Sequence, residues 1–172
     1  MIITNGFPKS GNHALVKACQ LLGVPCDVNH LPFGKLPEET TKHILITRDP
    51  RNIVVSWLRF QGMPVTPGMF ITHFRKFTAD SLVNEMGTYD GFLTDPNALV
   101  VKFEDLIASD AEMRRIAEYL DVPYIDGAFE SLPGMTRTWT GEYSDYKKIW
   151  APQVQEVWDN EGGNNLLRIW KY

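Results

Sequence analysis

The feature that most restricts the architecture of this chain stands at its start. An apolar run, Met1, Ile2 and Ile3, leads into T-N-G-F-P-K-S-G-N-H (residues 4–13). From about residue 11 to residue 22, Leu15, Ala18, Cys19 and Leu22 share one helical face before Gly23 and Pro25 end the segment. Strand, glycine-rich turn and helix in that order aim backbone N–H groups and the positive end of a helix at one point, a ready arrangement for an anion. The alternation then continues. A short extended piece over 26–29 runs into H-L-P-F-G-K-L-P, whose prolines and glycine forbid regular structure, so a loop starts at His30. H-I-L-I-T (43–47) is a continuous apolar run of the kind buried on both faces of a parallel sheet. Asp49 and Pro50 after it have the character of an N-cap and first helical residue, with a helix to about Phe60. More helix is expected over 69–87, a further buried strand over 98–103, and a helix over 109–120. Strands alternating with helices predict an α/β fold, a three-layer parallel sheet with helices on both faces. Ligands of such sheets bind at the carboxyl ends of the strands, where the glycine loop, His30, Arg48 and Glu104 emerge.

A chain of 172 residues with 44% hydrophobic and 22% charged residues is expected to form one domain over 1–172 and to bury a core without staples. No apolar run approaches the roughly 18 residues of a membrane span, and the first residues have the pattern of a strand rather than a secretory leader, so a cytoplasmic protein with no membrane partner is expected. Cys19 and Cys26 have no metal-ligand spacing and suit reduced thiols. A formal charge of −4 argues against a nucleic-acid partner, whose phosphates demand many lysines and arginines. An anionic ligand must therefore be held by local geometry.

The loop differs from a nucleotide-hydrolase loop in a chemically decisive way. In G-x-x-x-x-G-K-[ST] the lysine reaches terminal phosphates and the hydroxyl holds Mg²⁺. Gly6 and Gly11 have the required spacing, but Asn12 and His13 occupy the lysine and hydroxyl positions, and the lysine is Lys9, inside the loop. Lys9 and Ser10, with the N–H groups at the helix start, still meet an anion, and no metal is expected.

Pro8-Lys9-Ser10-Gly11, the His-Leu-Pro stretch at His30, I-T-R-D-P-R-N-I-V-V-S-W, and V-K-F-E-D-L followed by R-R-I-A-E-Y-L together resemble the sulfotransferase family that uses 3′-phosphoadenosine 5′-phosphosulfate. The resemblance implies a P-loop-like sulfotransferase fold, with that compound as donor and 3′-phosphoadenosine 5′-phosphate as product. By the same resemblance Lys9 and His30 are catalytic, Lys9 stabilising the departing phosphate and His30 serving as general base, a task suited to an imidazole. Pro8, Lys9, Ser10, Gly11, Asn12 and His13 cradle the 5′-phosphate, while Arg48 and Ser56, eight positions apart, hold the 3′-phosphate. Phe103 or Trp139 would supply a stacking surface for adenine, because Ala14 stands where many members have an aromatic residue. T-R-T-W-T-G-E-Y (136–143) is similar to the family's late phosphate-closing loop, and only Arg137 is carried over from it. Val28 replaces a lysine often found two residues before the histidine. K-x-x-x-A-P-x-x-x-E from Lys147 has the spacing of the family's dimer motif, which leaves a homodimer open. The acceptor implied is a hydroxyl or amine of a small molecule or glycan. A small-molecule or nucleotide kinase, against which the missing Mg²⁺ ligand counts, and a non-catalytic phosphoadenosine-binding module are the alternatives. Trp150, Trp158 and Trp170 in the tail are expected to pack helices rather than line a ligand site.

Overall fold

A computed structural model describes residues 1–79, 82–133 and 146–172. In chain order the elements are β1 (Ile2–Gly6), α1 (Asn12–Leu21), β2 (Val28–Asn29), β3 (Lys42–Thr47), α2 (Pro50–Phe60), α3 (Pro67–Ala79), α4 (Leu82–Gly87), β4 (Ala98–Lys102), α5 (Phe103–Leu106), α6 (Ala111–Leu120), α7 (Pro152–Asn160) and α8 (Gly163–Trp170). Single 3₁₀ turns lie at Asp90–Leu93 and Tyr146–Ile149. The chain forms two compact units, one of Met1–Arg48 with Gly91–Glu142 and one of Asp49–Asp90 with Tyr143–Tyr172.

The first unit is built on a parallel sheet in the order β2-β1-β3-β4, so the expected α/β fold is observed. β3 lies inside the sheet and is buried from His43 to Thr47, as its unbroken apolar run requires. β4 is an edge strand whose residues alternate between half-buried and buried, with Leu99 and Val101 facing the core. The strand expected over 98–103 is one residue shorter, because Phe103 opens α5, whose first turn carries Glu104 and Asp105 at the positive helix end. α1 packs on β1 and β2 and also meets α6, burying Leu15, Ala18 and Cys19 as expected and Ala14 with them. Its end is closed by Gly23 N–H on the Gln20 carbonyl at 3.0 Å and Val24 N–H on the Cys19 carbonyl at 2.9 Å, with Gly23 at φ +79°.

In the second unit Asp49 caps α2 by accepting from the Arg51 N–H at 2.9 Å, and Pro50 is the first helical residue. Of the helical stretch expected over 69–87, the described residues form α3 and α4 on either side of 80 and 81, which lie outside the described residues. The tail tryptophans are packing residues. Trp158 stacks on Phe74 at 4.7 Å, Trp150 meets Phe70 edge-on at 5.6 Å, and Trp170 donates to the Met86 carbonyl at 3.4 Å. Among the described residues no helix is long and apolar enough to cross a membrane.

Candidate active site

Parallel strands bring the carboxyl ends of β1, β2, β3 and β4 to one edge, at Gly6, Asn29, Thr47 and Lys102. The loop after β1 is braced from within. The Phe7 carbonyl accepts from the Ser10 N–H at 3.0 Å, the Ser10 hydroxyl at 2.7 Å and the Asn12 amide at 3.0 Å, and that amide also reaches the Gly6 carbonyl at 3.3 Å. Ser10 is fully buried and Asn12 nearly so. Their side chains therefore shape the loop, with the Ser10 hydroxyl hydrogen directed at the Phe7 carbonyl. Gly6 is required by this brace, since a Cβ there would stand 2.5 Å from Asn12 Oδ1 and 2.7 Å from Ser10 Oγ.

Lys9 sits at the turn in the left-handed region, φ +70°, and burial lowers its ammonium below the ordinary lysine pKa. Gly11 caps α1 at φ +112°, where a Cβ would also overlap Phe103 Cδ2. α1 has no side-chain cap and no acidic residue in its first turn. The N–H groups of Asn12 and His13 belong to that first turn, whose donors have no acceptor within the helix. A helix start bearing a nearby lysine and no competing carboxylate fits a phosphate group by charge and donor set. His13 itself is exposed beside the loop.

His30 is brought to this loop by the pairing of β2 with β1. Its Nδ1 lies 2.7 Å from the Gly6 carbonyl. A carbonyl only accepts, so Nδ1 carries the hydrogen and the neutral ring keeps its lone pair on Nε2. The chain on either side of His30 is tied to β1. Asn29 donates to the Thr4 carbonyl at 3.2 Å, while Asn5 accepts from the Leu31 N–H at 2.9 Å and donates to the Leu31 carbonyl at 2.7 Å. Sequence reasoning passed over Asn5, although a polar amide inside an otherwise apolar strand was the available signal.

Arg48, at the end of β3, is 6% exposed. It donates from Nη1 to the Lys9 carbonyl at 3.2 Å and lays its guanidinium over the Phe103 ring at 4.3 Å. Phe103 is thus packed between Gly11 and Arg48 beneath the loop. Arg51, the neighbouring arginine, forks onto Asp49 at 2.6 Å and stacks on Tyr146 at 4.0 Å. Ser56 is half-buried on α2 in the second unit. Arg137 and Trp139 lie outside the described residues. Of the remaining histidines, His43 is buried 3.2 Å from Asp95, and His73 is buried in α3.

The loop, Lys9, His30 and Arg48 thus form one connected cluster in the first unit. A mouse sulfotransferase, SULT7A1, solved in complex with PAP, has the same fold, with a TM-score of 0.74 over 99% of this chain and 88% of its own at 15% sequence identity. No curated protein sequence matches the chain. A sequence model of the sulfotransferase domain matches residues 24–137, about two thirds of the chain, a range that starts after the glycine loop and includes His30, Arg48 and Phe103. This chain belongs to the sulfotransferase domain family.

Proposed function

We propose that the chain, acting as one domain over 1–172, transfers a sulfuryl group from 3′-phosphoadenosine 5′-phosphosulfate to a hydroxyl or amine of a small molecule or glycan. When bound, this donor supplies the sulfuryl group and leaves as 3′-phosphoadenosine 5′-phosphate. The observation that supports the reading is the 2.7 Å contact of His30 Nδ1 with Gly6 O, at the start of the loop that bears Lys9. His30 Nε2 takes the acceptor's proton as its oxygen or nitrogen bonds to sulfur and the bond from sulfur to the bridging oxygen breaks. Lys9 and the N–H groups at the start of α1 stabilise the negative charge that collects on the departing phosphate. Pro8 and Gly11 give the loop its turn, and Arg48 holds the Lys9 carbonyl while lying within reach of the same edge of the sheet. Ser56 and Arg137 are the proposed partners of the 3′-phosphate together with Arg48.

Calorimetric titration with 3′-phosphoadenosine 5′-phosphate and with ADP, each with and without Mg²⁺, tests the donor site. The expected result is metal-independent binding that needs the 3′-phosphate and weakens in Arg48→Ala. Transfer to 4-nitrophenol and to glucosamine tests the reaction, and His30→Ala is expected to abolish it with binding nearly intact. Preference for ADP with Mg²⁺ would overturn the reading in favour of a kinase.

A further inference from the structure

Asn5 is 1% exposed in β1, and a buried amide in a strand is costly unless both ends of its side chain are matched. Here they are matched by a single residue. β2 ends at Asn29, whose partner in the register is Asn5 itself, and beyond it the prolines of the His30 loop take the backbone out of the sheet. The Asn5 side chain replaces the missing rung, with Oδ1 accepting from Leu31 N–H at 2.9 Å and Nδ2 donating to Leu31 O at 2.7 Å. These two partners also fix which end of the amide is oxygen. His30 is therefore held between Asn29, bonded to Thr4 O at 3.2 Å, and Leu31, bonded twice to Asn5. With its backbone tied on both sides, its ring nitrogen falls on the carbonyl of Gly6, the residue next to Asn5.

We propose that Asn5 is a positioning residue for the transfer reaction: its two hydrogen bonds to Leu31 hold His30 so that Nδ1–H meets Gly6 O and Nε2 is the proton acceptor. This rests on His30 as the base. Without the anchor the imidazole is free to leave Gly6 and adopt the Nε2–H tautomer that an unrestrained histidine prefers, which has no lone pair where the acceptor's proton must go. A loss of this kind acts on turnover and leaves the phosphate loop untouched.

The test is nitrogen-15 NMR of the imidazoles, with the four histidines of the chain assigned by a His30→Gln spectrum, on the wild type, Asn5→Leu and Asn5→Asp. The wild type is expected to show neutral His30 as the Nδ1–H tautomer. Asn5→Leu removes both bonds and is expected to move His30 toward Nε2–H, to lower kcat for 4-nitrophenol by about a hundredfold, and to leave the Kd for 3′-phosphoadenosine 5′-phosphate unchanged. Asn5→Asp keeps acceptance from Leu31 N–H and is expected to fall between the two. Wild-type His30 protonated at Nε2 would overturn the proposal without any variant. So would an Asn5→Leu protein that keeps both the Nδ1–H tautomer and its turnover. A shift of tautomer in Asn5→Leu, with no transfer by the wild type, would instead uphold the hold of Asn5 on the ring and overturn His30 as the base.

Discussion

Gly11→Ala isolates the contact on which the loop rests. An L residue at φ +112° lies outside the left-handed basin, a strain of about 2 kcal/mol. Its Cβ would also overlap Phe103 Cδ2, and the ring cannot retreat freely because the Arg48 guanidinium lies over it at 4.3 Å. Overpacking of this kind costs about 2 kcal/mol more, giving about 4 kcal/mol in all. Gly23→Ala is the control. Gly23 also has a positive φ, +79°, but nothing lies within 4 Å of its absent Cβ, so about 1 kcal/mol is expected there. For a chain of this length each kcal/mol moves Tm by roughly 2–4 °C, so thermal unfolding followed by circular dichroism should separate the variants, at about 8–16 °C and about 2–4 °C below the wild type. In a Phe103→Val background, which has no Cδ atoms, the added cost of Gly11→Ala should fall to the strain alone, a coupling of about 2 kcal/mol. Binding of 3′-phosphoadenosine 5′-phosphate should be lost in Gly11→Ala and kept in Gly23→Ala. Equal destabilisation by the two alanines would refute the view that Phe103 walls the loop.

Lys9→Met should weaken 3′-phosphoadenosine 5′-phosphate binding in calorimetry yet raise the stability of the free protein at pH 7. The lysine pKa is lowered on folding by burial, so its cost is fully present below the folded pKa and is relieved as pH rises toward the unfolded value. Urea unfolding at pH 7 and pH 10 should show a rise in the wild type that the variant lacks, and a variant less stable at pH 7 would contradict this. At the other end of the sheet, the Tyr119 hydroxyl accepts from His43 N–H at 3.1 Å and lies 2.6 Å from Asn97 O. Tyr119→Phe leaves those groups unmatched, so urea unfolding should show a loss of about 1–3 kcal/mol with donor binding unchanged.

Local chemistry made much of this protein legible. Apolar runs identify the start of β1 and the middle of β3, because a strand buried on both faces is largely apolar. Asp49 and Pro50 mark the start of α2 because capping is settled within one turn. The edge position of β4 and the helical turn at Phe103 were not legible, since V-V-K-F suits a central strand as well as an edge strand until its neighbours are known.

Within the site the same division holds. Pro8-Lys9-Ser10-Gly11 after a strand already determines a tight loop into a helix start, because the left-handed Lys9 and Gly11 follow from neighbours a few residues away. Only the tertiary structure decided that Asn5 grips Leu31, that His30 meets Gly6, that Arg48 clasps the Lys9 carbonyl, and that Phe103 packs against Gly11. These partners are 24 to 92 positions apart, and they meet because the order β2-β1-β3-β4 brings the ends of four strands together. Strand order is a property of which long-range pairings minimise exposed apolar surface and unpaired backbone at once, and no local period of the chain encodes it.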